Sequence, residues 1–352
     1  MDRKPKILYA IQGTGNGHVS RARDVVPLLQ QRADLDVLIS GIQSDVQLPY
    51  PIKYRFYGLS FIFGRHGGVD MWATAKKAKP WLLWREIKSL PVKDYDLVIS
   101  DFEPVTSWAC KLAKVPCISL SHQAGVMAPD APKPEKDDMM GRYIMHHYAP
   151  FTDSYGFHFA RYGPQVFTPV IRQAIRDITP TDEGHFTVYL PAYDDQTLIN
   201  FLSQIPQAQW QVFSKHNMQA QTIGNVTIKP VQNDAFIQSL ASCTGVLCGA
   251  GFEAPAEALF LGKKLLVVPM ANQYEQYCNA AGAATLGVPV VWMLDDANLD
   301  KVTQWVMTPA TYVVDFPDQT ADIIDLVLHN HLPSVPAKPH LSLEAFLAQR
   351  DR

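Results

Sequence analysis

Short runs of β-branched and aromatic residues alternate along this chain with stretches whose apolar positions recur every three or four residues. The short runs are long enough for strands and too short for helices, and the longer period between them is that of covering helices, so the pattern predicts parallel sheets in an α/β fold. In the first half the predicted strands are 7–11, 37–40, 54–57, 97–100, 117–120 and 155–159; a second series follows at 186–190, 211–213, 226–228, 245–248, 265–268 and 288–292. Between them lies a stretch bearing Pro164, Pro169 and Pro180. Two such series joined by a proline-bearing linker predict two doubly wound domains facing each other across a cleft. The expected boundaries are 1–165 for the first domain, 166–184 for the linker, 185–330 for the second domain and 331–352 for a tail that either packs a last helix or frays.

Composition narrows what such a cleft can serve. With 352 residues, 47% of them hydrophobic, the chain can bury two cores. Its formal net charge of -3 gives no reason to expect a nucleic-acid partner. Five cysteines, Cys110, Cys117, Cys243, Cys248 and Cys278, form no Cys-x-x-Cys pair, which fits buried reduced thiols in a cytoplasmic protein. No apolar run approaches the length of a membrane span, and the sequence enters its first strand directly after Asp2-Arg3-Lys4, so neither a span nor a signal peptide is expected.

The chemistry concentrates where strands end in glycine turns. Residues 248–262 read as a strand end, the turn Gly249-Ala250-Gly251, and a helix with Pro255 in its first turn. The first N–H groups of a helix lack partners and its dipole favours anions, so a pyrophosphate is the natural guest of such a turn. Glu253 and Glu257 follow at i, i+4 spacing. A carboxylate there can accept from two ribose hydroxyls; equally, both can be solvated acids that favour a helix start. In the first half, Gly13-Thr14-Gly15-Asn16-Gly17-His18 follows the first strand, with His18 where a dinucleotide fingerprint would have its third glycine. That departure argues against a nicotinamide cofactor. Instead, Gly15 and Gly17 make a close-approach turn that brings an imidazole to the cleft, where it can take a proton from a hydroxyl or simply cap its helix. Asp101, His122 and Gln123 stand at two further strand ends, on the edge where open α/β sheets bind ligands. Asp101 is expected to support His18, with capping of the helix near Pro104 as the alternative. The D-x-D pairs Asp34/Asp36 and Asp94/Asp96 fall at the amino ends of strands, so no dedicated metal is expected.

Tryptophan and lysine recur at helical spacing over 71–90 (Trp72, Trp81 and Trp84 among Lys76, Lys77, Lys79, Arg85 and Lys88), a pattern suited either to an anionic membrane surface and an apolar acceptor or to an ordinary core face with a solvated back. The succession of Gly13-x-Gly-x-Gly-His18, Ser121-His-Gln-Ala-Gly125, Gly249-Ala-Gly, Glu257, Val267-Val-Pro269, Gln276 and Asn279-Ala280 resembles the GT-B glycosyltransferases. Within these it is similar to a group of predicted bacterial and archaeal enzymes related to the lipid-linked N-acetylglucosaminyltransferase of peptidoglycan synthesis. The resemblance implies two Rossmann-like domains and a nucleotide-sugar donor, UDP-linked by preference, with no other cofactor and no metal. It places the diphosphate on Gly249, Ala250 and Gly251, the ribose on Glu257, and the donor sugar on Glu275 and Gln276, where the first position departs from the family's amide. It also implies His18 as general base or acceptor-orienting group, which Asp101 is expected to support, and inverting transfer of a hexose or N-acetylhexosamine to an acceptor hydroxyl; Gly15, Gly17 and His122, at the cleft edge of the first half, are expected among the donor-binding residues. A lipid-linked acceptor would place the protein at the inner face of the cytoplasmic membrane. A nucleotide-sugar 2-epimerase or hydrolase of the same fold and a non-catalytic nucleotide-sugar-binding protein are the alternatives.

Overall fold

The computed structural model describes residues 3–14, 16–41, 48–59, 79–135, 138–215, 217, 219–310 and 312–332. Gly15, residues 71–78 of the tryptophan- and lysine-bearing segment, and the tail from 333 lie outside the described residues.

Two parallel sheets account for the strands. The first runs β3(Tyr54–Phe56)-β2(Asp34–Ser40)-β1(Lys6–Gln12)-β4(Leu97–Asp101)-β5(Ile118–Ser121)-β6(Asp153–Phe157)-β7(Val166–Phe167). The second runs β10(Gln221–Ile223)-β11(Val226–Pro230)-β9(Gln209–Ser214)-β8(His185–Tyr189)-β12(Gly245–Gly249)-β13(Lys264–Val268), parallel except for the antiparallel pair β10/β11. In each sheet the strand order reverses once, between β1 and β4 and between β8 and β12. Ligands of doubly wound folds bind outside the carboxyl ends of the strands at these reversals.

Helices α1(Gly17–Arg32), α2(Pro80–Ser89), α3(Pro104–Ala113), α4(His122–Met127) and α5(Met139–Tyr148) belong to the first sheet, and a short α6(Gln173–Arg176) lies in the connection. Around the second sheet run α7(Asp195–Leu202), α8(Asn233–Ser242), α9(Glu253–Phe260), α10(Tyr274–Thr285) and α11(Leu299–Met307), and α12(Thr320–His331) closes the described chain. The predicted apolar face of α1 (Val19, Ala22, Val25, Val26, Leu29) is wholly buried, each such side chain stabilising by about 1.5–3 kcal/mol relative to exposure. Pro27 inside α1 has no N–H for the Arg23 carbonyl, and the Tyr50 hydroxyl donates to that oxygen instead at 3.2 Å. All five cysteines are reduced and buried.

Three expectations change. The segment expected as linker is partly structured: β7 extends the first sheet and α6 follows it. Residues 320–330, expected in the second domain, and His331, expected in the tail, return to the first domain as α12, where Asp325 pairs with Arg32 and the Tyr155 hydroxyl lies 3.1 Å from His331 Nε2. The strand expected at 288–292 is reduced to one bridge, Val267 to Val290, because Pro289 carries no donor and Trp292 is exposed.

Candidate active site

His18 and Asp101 meet because β1 and β4 are neighbours at the reversal of the first sheet. Ile11 lies opposite Asp101 in the register, so the loop leaving β1 and the last residue of β4 emerge side by side at the carboxyl edge. His18 Nδ1 stands 2.8 Å from Asp101 Oδ1, and Asp101 is fully buried. Arg21, one turn further along α1, donates through Nη2 to both oxygens of the same carboxylate at 2.6 and 2.8 Å. Asp101 does not cap the next helix, as the alternative reading had it. That work falls to Glu103, whose carboxylate accepts from the backbone N–H of Val105 and Thr106, each at 2.7 Å.

The charges sort themselves accordingly. Burial would push the Asp101 carboxyl up, but Arg21 first and His18 second hold it below the usual carboxylate range. Burial opposes an imidazolium at His18, yet the Asp101 carboxylate outweighs it and lifts His18 above the ordinary histidine value. A base with its Nδ1–H on a buried carboxylate leaves Nε2 free to accept a proton. Gln123 Nε2 stands 3.3 Å from that nitrogen.

At the second reversal a cavity of about 190 Å³ opens between the two domains. Its walls come from the ends of β8 and β12, from Asn16, Gly17 and Ser20 of the first domain, and from Arg172 of the connection. Of the residues expected to hold a donor, Gly17, Gly249, Gly251, Glu257 and Gln276 line it. At Gly251 a β-carbon would meet nothing within 4 Å, so the turn presents open backbone at the start of α9. At Gly17 a β-carbon would stand 2.4 Å from Glu253 Oε2, so a side chain there would displace that carboxylate. The Glu253 carboxylate thus reaches over the start of α1 and pairs with Arg21, joining the two domains at the cleft mouth. Glu257, 2% exposed, is gripped by Arg172 through Nε at 2.5 Å and Nη2 at 2.7 Å. Its carboxylate is therefore fixed at the cavity wall with acceptor capacity to spare.

Other expected residues lie elsewhere. Ala250 turns its side chain into the core, and its carbonyl accepts from Asn279 Nδ2 at 3.0 Å. Glu275 does not share the cavity with Gln276: one residue along a helix is about 100° around its axis. Gln276 Oε1 accepts from the Met270 N–H at 2.8 Å, whereas Glu275 faces Gln123 and His18 and lines a neighbouring cavity. His122 is not at the cleft surface either. It is 1% exposed and sits between two oxygens, the Phe157 carbonyl 2.8 Å from Nδ1 and Asn279 Oδ1 2.6 Å from Nε2. Burial pushes it down to about 3, so it stays neutral, stacked on Phe252 with centroids 3.7 Å apart. It is a joint between the domains. Gly125 and Gly156 permit this, because a β-carbon on Gly125 would come within 2.2 Å of the Phe157 carbonyl oxygen.

Arg21 and Arg172 escaped the sequence reading. Arg21 carries a local signal, three residues from His18 on one helix face; Arg172 carries none, since its partner Glu257 is 85 residues away. The D-x-D acids are engaged at the amino edge, Asp36 with Lys53 and Asp96 with Arg3.

The family described as Glycosyl transferase family 1 matches residues 5–309. No curated protein matches the chain. Among solved structures, Acinetobacter baumannii MurG is 16% identical with a TM-score of 0.51, over 86% of this chain and 91% of that one. The glycotransferase of kitacinnamycin is 14% identical with a TM-score of 0.55, over 99% of both chains. Arabidopsis thaliana UGT89C1, complexed with UDP-L-rhamnose, is 14% identical with a TM-score of 0.51, over 99% of this chain and 98% of that one. At these identities the likeness is one of fold, the GT-B arrangement of two facing α/β domains.

Proposed function

The chain belongs to glycosyl transferase family 1, and from that premise we propose that it moves a hexose or N-acetylhexosamine, with inversion and without a metal, from a UDP-sugar to an acceptor hydroxyl. The observation that carries this reading is the open Gly249–Gly251 turn on a cavity shared by both domains, with the His18–Asp101 pair at the adjoining sheet edge.

In the proposed reaction the acceptor oxygen forms its bond to the anomeric carbon from the face opposite the diphosphate. The bond from that carbon to the diphosphate oxygen breaks, the hydroxyl proton passes to His18 Nε2, and the nucleoside diphosphate leaves as an anion. Asp101 stabilises the imidazolium so formed. The N–H groups at the start of α9 receive the departing charge, an electrostatic contribution that often exceeds all others. Glu257, oriented by Arg172, accepts from the ribose hydroxyls, and Gln276 stands where the donor sugar would lie. UGT89C1 has been crystallised with UDP-L-rhamnose, which supports a UDP-linked donor here through likeness of fold.

An apolar, membrane-delivered acceptor belongs to the same reading. It is supported by Trp81 and Trp84 of α2, 79% and 46% exposed, beside Lys88. Among the described residues no helix is long and apolar enough to cross a membrane, so delivery would be from a surface. Failure of vesicles containing anionic lipid to retain the protein at low salt would remove that part.

Thermal shift against a set of nucleotide sugars tests the whole. A UDP-sugar at 100 times its Kd should stabilise the protein by about 2.7 kcal/mol. His18→Ala should keep that shift while losing transfer; turnover of donor without any acceptor would instead favour an epimerase or hydrolase.

A further inference from the structure

A second cavity, of about 260 Å³, lies on the first-domain side of the cleft, between α5 and the start of α10. Phe102, Ile144, Met145, Tyr148 and Tyr274 give it apolar walls, and Met140, 67% exposed, stands at its mouth. Three features distinguish it from a packing defect. Phe102, directly after Asp101, has φ 56°, a left-handed conformation that a bulky side chain adopts at a cost of about 1–3 kcal/mol and that concentrates at functional sites. That conformation stacks its ring on Tyr148, centroids 4.9 Å apart, and Tyr148 is in turn held by its hydroxyl, which donates to the Leu59 carbonyl at 2.9 Å and accepts from Gln12 Nε2 at 2.8 Å.

The polar atoms collect on one side. Glu275 lines the cavity and faces Gln123, whose Nε2 stands 3.3 Å from His18 Nε2. Gln273 Oε1, on the same wall, is a buried acceptor with no partner among the described residues, as is Gln123 Oε1. Buried acceptors left unmatched cost about 1–3 kcal/mol each and invite a ligand donor. Outside the mouth, Met139 and Tyr143, 72% and 61% exposed, continue the apolar surface along α5.

Resting on the transfer reading above, we propose that this cavity is the acceptor subsite and that it takes a hydroxyl carried on an apolar body. The body lies against the Phe102–Tyr148 stack and the α5 side chains, and the hydroxyl points toward Glu275, Gln123 and His18. A cavity of roughly 150 Å³ holds one benzene ring, so this one admits two fused rings or a prenyl unit, with the rest of a longer acceptor running out over Met139 and Tyr143. A polar acceptor such as a free sugar or a short peptide would leave the apolar walls unmatched.

The test is calorimetric titration of the full chain with 2-naphthol in one arm and farnesol in the other, with UDP binding followed by thermal shift in parallel. Binding of either probe supports the subsite and identifies its source, aromatic or prenyl. Ile144→Trp, which fills the cavity, should weaken the bound probe by about tenfold or more and leave UDP binding unchanged. Met140→Asp, at an exposed position that carries no folding risk, should weaken it by about threefold or more. No binding of either probe, or binding indifferent to both substitutions, overturns the proposal. Absence of UDP binding with probe binding intact would count against the transfer reading alone.

Discussion

Asp101→Asn is the sharpest probe of the cleft, because it keeps shape and removes one charge. In the native cluster the carboxylate accepts chiefly from His18 Nδ1–H at 2.8 Å and Arg21 Nη2 at 2.6 and 2.8 Å, with the Tyr9 hydroxyl a more distant third donor at 3.5 Å. An amide offers one oxygen. Arg21, charged and buried, claims it, and the amide N–H₂ then faces His18 Nδ1, which favours the tautomer with the proton on Nε2. That tautomer cannot accept a proton from a hydroxyl. General-base contributions run to about 10²–10⁴, and loss of the orienting carboxylate in a comparable triad costs about 10⁴, so kcat should fall by about 10³, or roughly 4 kcal/mol at 1.36 kcal/mol per decade. The KM for the donor should stay within about twofold, since Asp101 does not line the donor cavity. The titration sign follows from the causes: the Asp101 charge is what lifts His18 above its ordinary value, so the substitution should bring the His18 titration, read by NMR on the imidazole, below the wild-type position. The acid limb of the rate profile should move to lower pH with it. A loss under about tenfold, an equal loss in donor affinity, or a His18 titration that rises would refute the reasoning.

The same pair links stability to pH: a folded-state value raised above about 6.5 means that His18 contributes stability fully below that pH and loses it as pH rises through the folded value. The wild-type advantage over Asp101→Asn in urea melts should therefore shrink between neutral and alkaline pH. Arg172→Met strands the buried Glu257 carboxylate and should cost about 3–5 kcal/mol, most of it recovered in the double variant with Glu257→Gln; a single-variant loss below about 1 kcal/mol would show the pair to be unimportant. Gly125→Ala drives a methyl into the backbone of β6, where neither partner can yield, and should cost at least about 3 kcal/mol or prevent soluble expression. Excess EDTA should leave turnover within about twofold; a tenfold loss restored by Mg²⁺ would end the metal-free reading.

Strands and glycine turns were legible because their signals are local. The runs at 7–11 and 245–248 read as buried parallel strands on composition alone, and the glycines after them marked the ligand edge. The hairpin β10/β11 was equally legible and was missed: Gly224-Asn225 is a two-residue turn of the expected kind, with Gly224 at φ 60°. What the sequence withholds is pairing across distance. His122 and Glu275 both carry polar heads near the right strand and helix ends, yet burial in a joint and a 100° step around α10 send them to other tasks. Arg172 could be found only once the connection had folded back on α9. The assignment of Asp101 to His18 rather than to a helix cap turned on Glu103, two residues on, whose side chain is long enough to reach back to both N–H groups.

The return of α12 to the first domain gives the molecule two covalent crossings between its halves, one through residues near α6 and one before Thr320. A body hung from a single tether can swivel in any direction; hung from two, it swings like a door, about the line through both hinges. Any movement of one half against the other would then be confined to a single arc, and Phe252, stacked on His122, lies where the two halves meet.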